Sequence, residues 1–183
     1  MQNLMLIVAA AALALVAGWF LLDGAAAVSM EVQMSQDEIP GNCSAEEARQ
    51  LDFWVGEWAL SWEGGSGTNL IRPILGGCVI EENFSDPTSQ FYGRSVSTFD
   101  ANTGRWQQTW VDNNATYLDF VGGMEGETMV LSRAFTNAEG ATVMQRMVFY
   151  NVERDRLDWN WENSTDGGQS WNLIWKIHYE RVK

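Results

Sequence analysis

The pattern of hydrophobic and polar residues divides the chain into three segments. Residues 4–22 are almost continuously apolar, residues 23–43 are small and acidic, and from Glu57 onward apolar and polar residues alternate. A period of two is typical of strands with one buried face. We therefore predict a transmembrane anchor or signal segment over residues 1–22, an acidic linker over 23–43, and a β-domain over 44–183.

Ten candidate strands follow one another in the third segment, separated by Gly, Asp and Asn clusters that are typical of turns. They are Glu57–Trp62, Thr68–Ile74, Cys78–Phe84, Phe91–Phe99, Trp106–Val111, Thr116–Val121, Met129–Phe135, Thr142–Tyr150, Leu157–Glu162 and Trp171–Arg181. A capping box at Ser44–Glu47 predicts a short helix over about residues 45–51 before them. Sequential strands with short turns predict an all-β, antiparallel up-and-down meander, which loses its exposed edges by closing into a barrel. A two-sheet sandwich is the structural alternative.

The first segment has no charged side chain between Leu4 and Leu22. As a helix it would span about 28 Å, close to the thickness of a hydrocarbon core of about 30 Å. The apolar region of a signal peptide is shorter, roughly 7–15 residues. A retained anchor in the bacterial inner membrane, with the barrel in the periplasm, is therefore the first interpretation. Cleavage near Ala27, which would leave a soluble periplasmic protein, is the alternative.

The net charge of the chain indicates which partners to expect, and its two cysteines indicate a disulfide. The chain has 24 Asp and Glu against 11 Lys and Arg, a formal net charge of −13. Because such a surface repels phosphates, we expect no nucleic-acid partner. In an exported, oxidising compartment Cys43 and Cys78 are expected to form a disulfide. Closing that loop would stabilise the fold by roughly 3–4 kcal/mol in the chain-entropy model.

Eight of the ten tryptophans lie in the predicted strands, in pairs that are two or four positions apart. Trp106 and Trp110 therefore share a face of one strand, and so do Trp159 and Trp161. Such rings either fill the barrel or form the wall of a ligand pocket, and composition does not decide between the two. The candidate pocket residues are the six tryptophans and two charged residues, namely Trp106, Trp110, Trp159, Trp161, Trp171, Trp175, Arg94 and Glu82.

Glu81 and Glu82 are adjacent on a strand, so their side chains point to opposite faces. The inward one is expected to form an ion pair with an arginine such as Arg94 or Arg133, or to anchor the head group of a ligand. The chain has neither a nucleophile-elbow motif nor a phosphate-binding loop, so we predict neither catalysis nor a cofactor or metal. His178, the single histidine, alternates with the tryptophan stripe of the last strand and is predicted to point outward.

The segment Leu51–Trp58, LDFWVGEW, resembles the opening motif of a calycin-like bacterial family of unknown function, whose members begin FDFWVGEW. The resemblance covers about residues 52–181 and continues through Ile74–Glu82, Gly93–Ser97, Trp106–Asp112 and Ser164–Trp171. Gly56-x-Trp58 is also similar to the lipocalin G-x-W signature, in which the tryptophan closes one end of the barrel. The resemblance implies a barrel like that of lipocalins or fatty-acid-binding proteins. It implies no particular activity.

Two function classes follow from these patterns. The first is a membrane-tethered binding module for a small apolar or amphipathic ligand. The second is a non-enzymatic accessory subunit of an inner-membrane protein complex, in which the span packs on partner helices and the acidic barrel lies on their outer surface. Small residues within the span, among them Ala14, Ala17 and Gly18, would permit such close approach of helices.

Overall fold

The computed structural model describes residues 43–183, which form a closed barrel of ten antiparallel strands. The strands are β1 (Gly56–Trp62), β2 (Gly65–Ile74), β3 (Val79–Asp86), β4 (Phe91–Asp100), β5 (Arg105–Asp112), β6 (Tyr117–Glu125), β7 (Thr128–Thr136), β8 (Thr142–Tyr150), β9 (Arg156–Ser164) and β10 (Asn172–Arg181). Each strand pairs with its successor, and β1 pairs with β10 to close the sheet, with Leu60 opposite Tyr179. The predicted all-β, up-and-down barrel is confirmed.

The segment before β1 plugs one end of the barrel. It contains the 3-10 helices Glu46–Arg49 and Asp52–Trp54, and the first of them lies within the short helix predicted over about residues 45–51. Leu51 and Trp54 are fully buried, and the Trp54 ring meets Phe149 edge-on at 5.1 Å. These two side chains hold the segment against the apolar core of the barrel.

A disulfide fixes the plug to the barrel wall. Cys43 and Cys78 are bonded, with their Cα atoms 5.1 Å apart, which confirms the predicted disulfide. Cys78 follows a third 3-10 helix, Leu75–Gly77, that leads into β3. Arg49 adds a second connection, because its Nη1 donates a hydrogen bond to the carbonyl oxygen of Gly77 at 2.9 Å.

Arg181, at the end of β10, joins the two ends of the described chain. Its guanidinium lies 4.1 Å from the centre of the Trp58 ring, and its Nη1 donates to the carbonyl oxygen of Val55 at 2.7 Å. The Trp58 indole in turn donates to the carbonyl oxygen of Trp54 at 2.7 Å. A side chain at Gly56, where φ is +141°, would overlap the guanidinium. The plugged end is thus closed by a cation–π contact and hydrogen bonds.

Strand β10 departs from the predicted alternation at its start. A register shift against β9 between Leu173 and Trp175 inserts Ile174 as a bulge. Leu173 is therefore 56% exposed, whereas Trp175, Ile177 and Tyr179 face the interior core. Strict alternation along the predicted strand Trp171–Arg181 would place Leu173 on the same face as Trp175, and the bulge prevents this by shifting the alternation by one position.

The predicted anchor lies outside the described residues, as do residues 23–42 of the predicted linker. Within residues 43–183, no helix has the length and apolar character needed to cross a membrane.

Candidate ligand-binding cavity

The barrel interior is filled at the plugged end and open at the other. Trp58, Trp106 and Phe149 are buried next to the plug. Beyond them lies a cavity of about 300 Å³, lined almost entirely by apolar and aromatic side chains together with two carboxyl groups and one phenol. The lining residues are Glu82, Phe84, Phe91, Trp110, Asp112, Leu118, Phe120, Met147, Trp159, Trp161, Trp175, Ile177 and Tyr179. This volume is at the lower end of the range for small-molecule sites.

The aromatic wall is held in place by ring-to-ring contacts. Trp159 and Trp161 are stacked with their centroids 6.4 Å apart, and Trp175 meets Trp159 edge-on at 5.9 Å. Phe84 continues the wall, since it contacts both Trp175 and Trp110 at about 6 Å. Because each ring packs against its neighbours, the wall has a fixed shape.

A glycine creates the space for one of these rings. Gly93 on β4 lies under the Trp110 ring, and an added Cβ would overlap that ring. The Trp110 indole donates to the Asp112 carboxylate at 3.1 Å, which fixes its orientation. Burial alone would raise the pKa of Asp112. The hydrogen bonds from Trp110, Asn114 and Thr116 outweigh burial and hold that pKa below its ordinary value, so a charged carboxylate lies at the cavity mouth.

Glu82 lies deep in the cavity, on the same face of β3 as Phe84 but one step nearer the plug. Its side chain is 6% exposed. Asn69 Nδ2 donates to one carboxylate oxygen at 2.7 Å, and Ser95 Oγ donates to the other at 2.6 Å. Burial raises the pKa of Glu82 from 4.5 to about 7, although both hydrogen bonds act in the opposite direction.

A second polar side chain accompanies Glu82 at this depth. The phenol of Tyr179 lies 3.4 Å from Asn69 Nδ2, and burial followed by the charge of Glu82 raises its pKa above the ordinary value. Tyr179 is therefore neutral and can donate or accept a hydrogen bond. The amide oxygen of Asn69, which is 1% exposed, has no hydrogen-bond partner among the described residues.

The expected ion pair of Glu82 is not formed. Its polar partners within residues 43–183 are Asn69 and Ser95. Arg94 is exposed on the outer face of β4, because it alternates with the buried Ser95 that faces Glu82. Arg133 is held on β7 by Gln145 Oε1 at 2.8 Å. The prediction of an arginine partner for Glu82 is therefore wrong.

Five of the eight predicted pocket residues come together at the cavity, namely Glu82, Trp110, Trp159, Trp161 and Trp175. The other three lie elsewhere. Trp106 belongs to the plugged end, where its indole donates to the carbonyl oxygen of Glu47 at 3.2 Å. Trp171 precedes β10, and its ring lies 4.0 Å from the guanidinium of Arg146. Arg94 is on the outer surface.

Sequence reasoning missed several cavity residues. Phe84 and Asp112 are each two positions from a predicted pocket residue, so the alternation itself was the signal that would have identified them. Outside the barrel, His178 forms a hydrogen bond with Asp158 at 2.9 Å and its side chain is 40% exposed, so it points outward as predicted.

A closed antiparallel barrel with an apolar cavity open at one end is the class of protein that the fold and the site define. No protein-family model matches the chain, and no curated protein matches it either.

Proposed function

We propose that this chain is an exported, membrane-tethered β-barrel that binds one small apolar or amphipathic molecule in its cavity. The observation that carries the proposal is the cavity of about 300 Å³, with its preorganised aromatic wall and its polar end at Glu82 and Tyr179. A concave, mostly apolar site with a few convergent polar groups is the usual form of a small-molecule site. Trp58 is buried at the plugged end, as the tryptophan of the lipocalin G-x-W signature is, and a closed barrel of this kind can hold one small ligand.

The disulfide supports the exported location. Disulfides persist in oxidising compartments such as the periplasm and are rare in the cytosol. The bond between Cys43 and Cys78 also ties the plug to β3, so the chain that leaves the barrel at residue 43 starts from a fixed point on the wall. A tether at residues 4–22 would then hold the barrel close to the membrane.

Calorimetric titration with small neutral apolar compounds tests the binding function. We expect 2-phenylethanol, indole or a small quinone to bind with one site per chain. The Trp161→Ala variant should lose this binding because it removes part of the wall. Trp171→Ala is the matched control, since Trp171 lies outside the cavity, and it should bind normally. If neither these compounds nor a charged compound of the same size, such as 2-phenylethylamine, binds saturably to the wild-type protein, the proposal is wrong.

The second candidate function is that of an accessory subunit in a membrane-protein complex. It is favoured by one observation: exposed Tyr92, Val111 and Tyr117 lie together on the outer face of β4 to β6, with Val111 directly opposite Tyr117. Purification of the full chain in mild detergent distinguishes the two functions. Stable co-purifying subunits that are lost in Val111→Asp would support the accessory function, whereas a lone barrel that binds ligand would support the first.

A further inference from the structure

The ionisable groups of the cavity are all acids. Among the described residues the lining contains the carboxyl groups of Glu82 and Asp112 and the phenol of Tyr179, and it contains no Lys, Arg or His. One carboxyl lies at the deep end and the other at the mouth. A ligand that carries a carboxylate would therefore meet a like charge at either end of the cavity.

We propose that the cavity selects organic cations, specifically small primary amines with an apolar or aromatic body whose ammonium group binds Glu82. The proposal rests on the binding function above and names the ligand class of that same site. It predicts discrimination against an alcohol or a carboxylate of the same size and shape.

The hydrogen bonding of Glu82 leaves room for such a ligand. Each carboxylate oxygen accepts one protein hydrogen bond, from Asn69 at 2.7 Å or from Ser95 at 2.6 Å. A carboxylate oxygen has two lone pairs, so each can accept a second bond, and an ammonium group supplies three donors. A buried carboxylate is costly without a cationic partner. Since the described chain provides no cation to Glu82, a cationic ligand would complete the pair.

The remaining surroundings also favour a cation. The rings of Phe84, Trp110 and Trp175 line the same cavity as Glu82, and the face of an aromatic ring attracts an ammonium group. The ionised Asp112 lies at the entrance of that cavity. The net charge of −13 adds a long-range field of the same sign, which attracts cations and repels anions.

The cavity volume sets the size of the probe. About 300 Å³ equals the volume of roughly ten water molecules in the liquid, which suits a ligand of about ten non-hydrogen atoms. A matched set with one phenyl body is 2-phenylethylamine, 2-phenylethanol and 3-phenylpropanoate. These three probes differ chiefly in the charge of the head group.

The experiment is isothermal titration of the full chain with each probe at pH 8, where the amine is protonated and Glu82 is mostly ionised. We expect the amine to bind at least about tenfold tighter than the alcohol, because a hydrogen bond between two charged groups is stronger than one that involves a neutral hydroxyl. The carboxylate should bind weakest. Glu82→Gln should remove most of the amine preference and leave only the several-fold share that Asp112 contributes. Glu139→Gln, an exposed charge change outside the cavity, should leave the amine preference unchanged.

A second variant tests the same preference at the mouth of the cavity. Asp112→Asn should weaken amine binding several-fold and leave alcohol binding unchanged, which provides a second variant if Glu82→Gln fails to fold. If the alcohol or the carboxylate binds as tightly as the amine to the wild-type protein, the cation preference is overturned while the binding function stands. If none of the three probes binds, the proposed function itself fails.

Discussion

The buried carboxyl of Glu82 should make the stability of this protein fall as pH rises, and Glu82→Gln should remove most of that fall. The folded protein holds the Glu82 proton up to a pKa of about 7, whereas the unfolded chain releases it near 4.5. Between these values the folded state binds more protons than the unfolded state. The free energy of unfolding contributed by this group is therefore highest below pH 4.5 and decreases until the pH passes 7.

The size of the effect follows from the two pKa values. Each pKa unit corresponds to 1.36 kcal/mol, so the shift from 4.5 to about 7 represents about 3 kcal/mol of stability lost between pH 4.5 and pH 8. A glutamine never ionises and has nearly the shape of the protonated acid. The variant should thus match the wild type near pH 4.5 and exceed it by about 3 kcal/mol at pH 8.

Urea unfolding of both proteins at half-unit steps from pH 4.5 to 8.5, followed by tryptophan emission, measures the difference directly. The disulfide must stay oxidised throughout. Tyr179, the titratable neighbour, stays neutral in this range because its pKa is raised, and distant groups cancel in the difference. Glu139→Gln is the exposed control and should follow the wild-type curve. Parallel wild-type and Glu82→Gln curves across the whole range would refute the reasoning.

Three further predictions test other parts of the molecule. Replacing Cys43 and Cys78 by serine should lower the free energy of unfolding by roughly 3–4 kcal/mol, measured by urea unfolding against the oxidised wild type; an unchanged midpoint would contradict it. Gly93→Val should displace the Trp110 ring and abolish binding of 2-phenylethanol while circular dichroism shows an intact barrel; normal affinity would show that the ring is not a fixed wall. The mature protein should retain Met1 and stay with membranes after a carbonate wash, and an intact mass that begins near Val28 would show cleavage instead.

The barrel could be predicted from the sequence because its strands are short, sequential and alternating. Each turn carries Gly, Asp or Asn, so the order of pairing follows from the order in the chain. The observed bounds differ from the predicted ones by only a few residues, and Thr142–Tyr150 agrees at both ends. Closure of the sheet into a barrel could be predicted because an open meander would expose two sheet edges.

The errors arise where one residue shifts the alternation or where pairing across strands decides the contact. Ile174 is an apolar residue at a position of the last strand where alternation predicts a polar one. It occupies the bulge that turns Leu173 outward. The partner of Glu82 depends on the register of β3 with β4. In that register Ser95 lies directly opposite Glu82, and Arg94 falls on the other face. A sequence gives each strand's alternation but not its register against the next strand.

Composition could not distinguish a filled barrel from an open one, because the difference between the two halves comes from the plug. Both halves are rich in tryptophan, but only one half receives additional side chains from outside the sheet, namely Leu51 and Trp54 of the plug. The other half keeps a cavity and a buried carboxyl without a cationic partner, and each of these features costs stability. Natural chains depart from close, satisfied cores chiefly at functional sites. Because both departures occur at the same place, beside a preorganised aromatic wall, a binding function accounts for them better than a purely structural one.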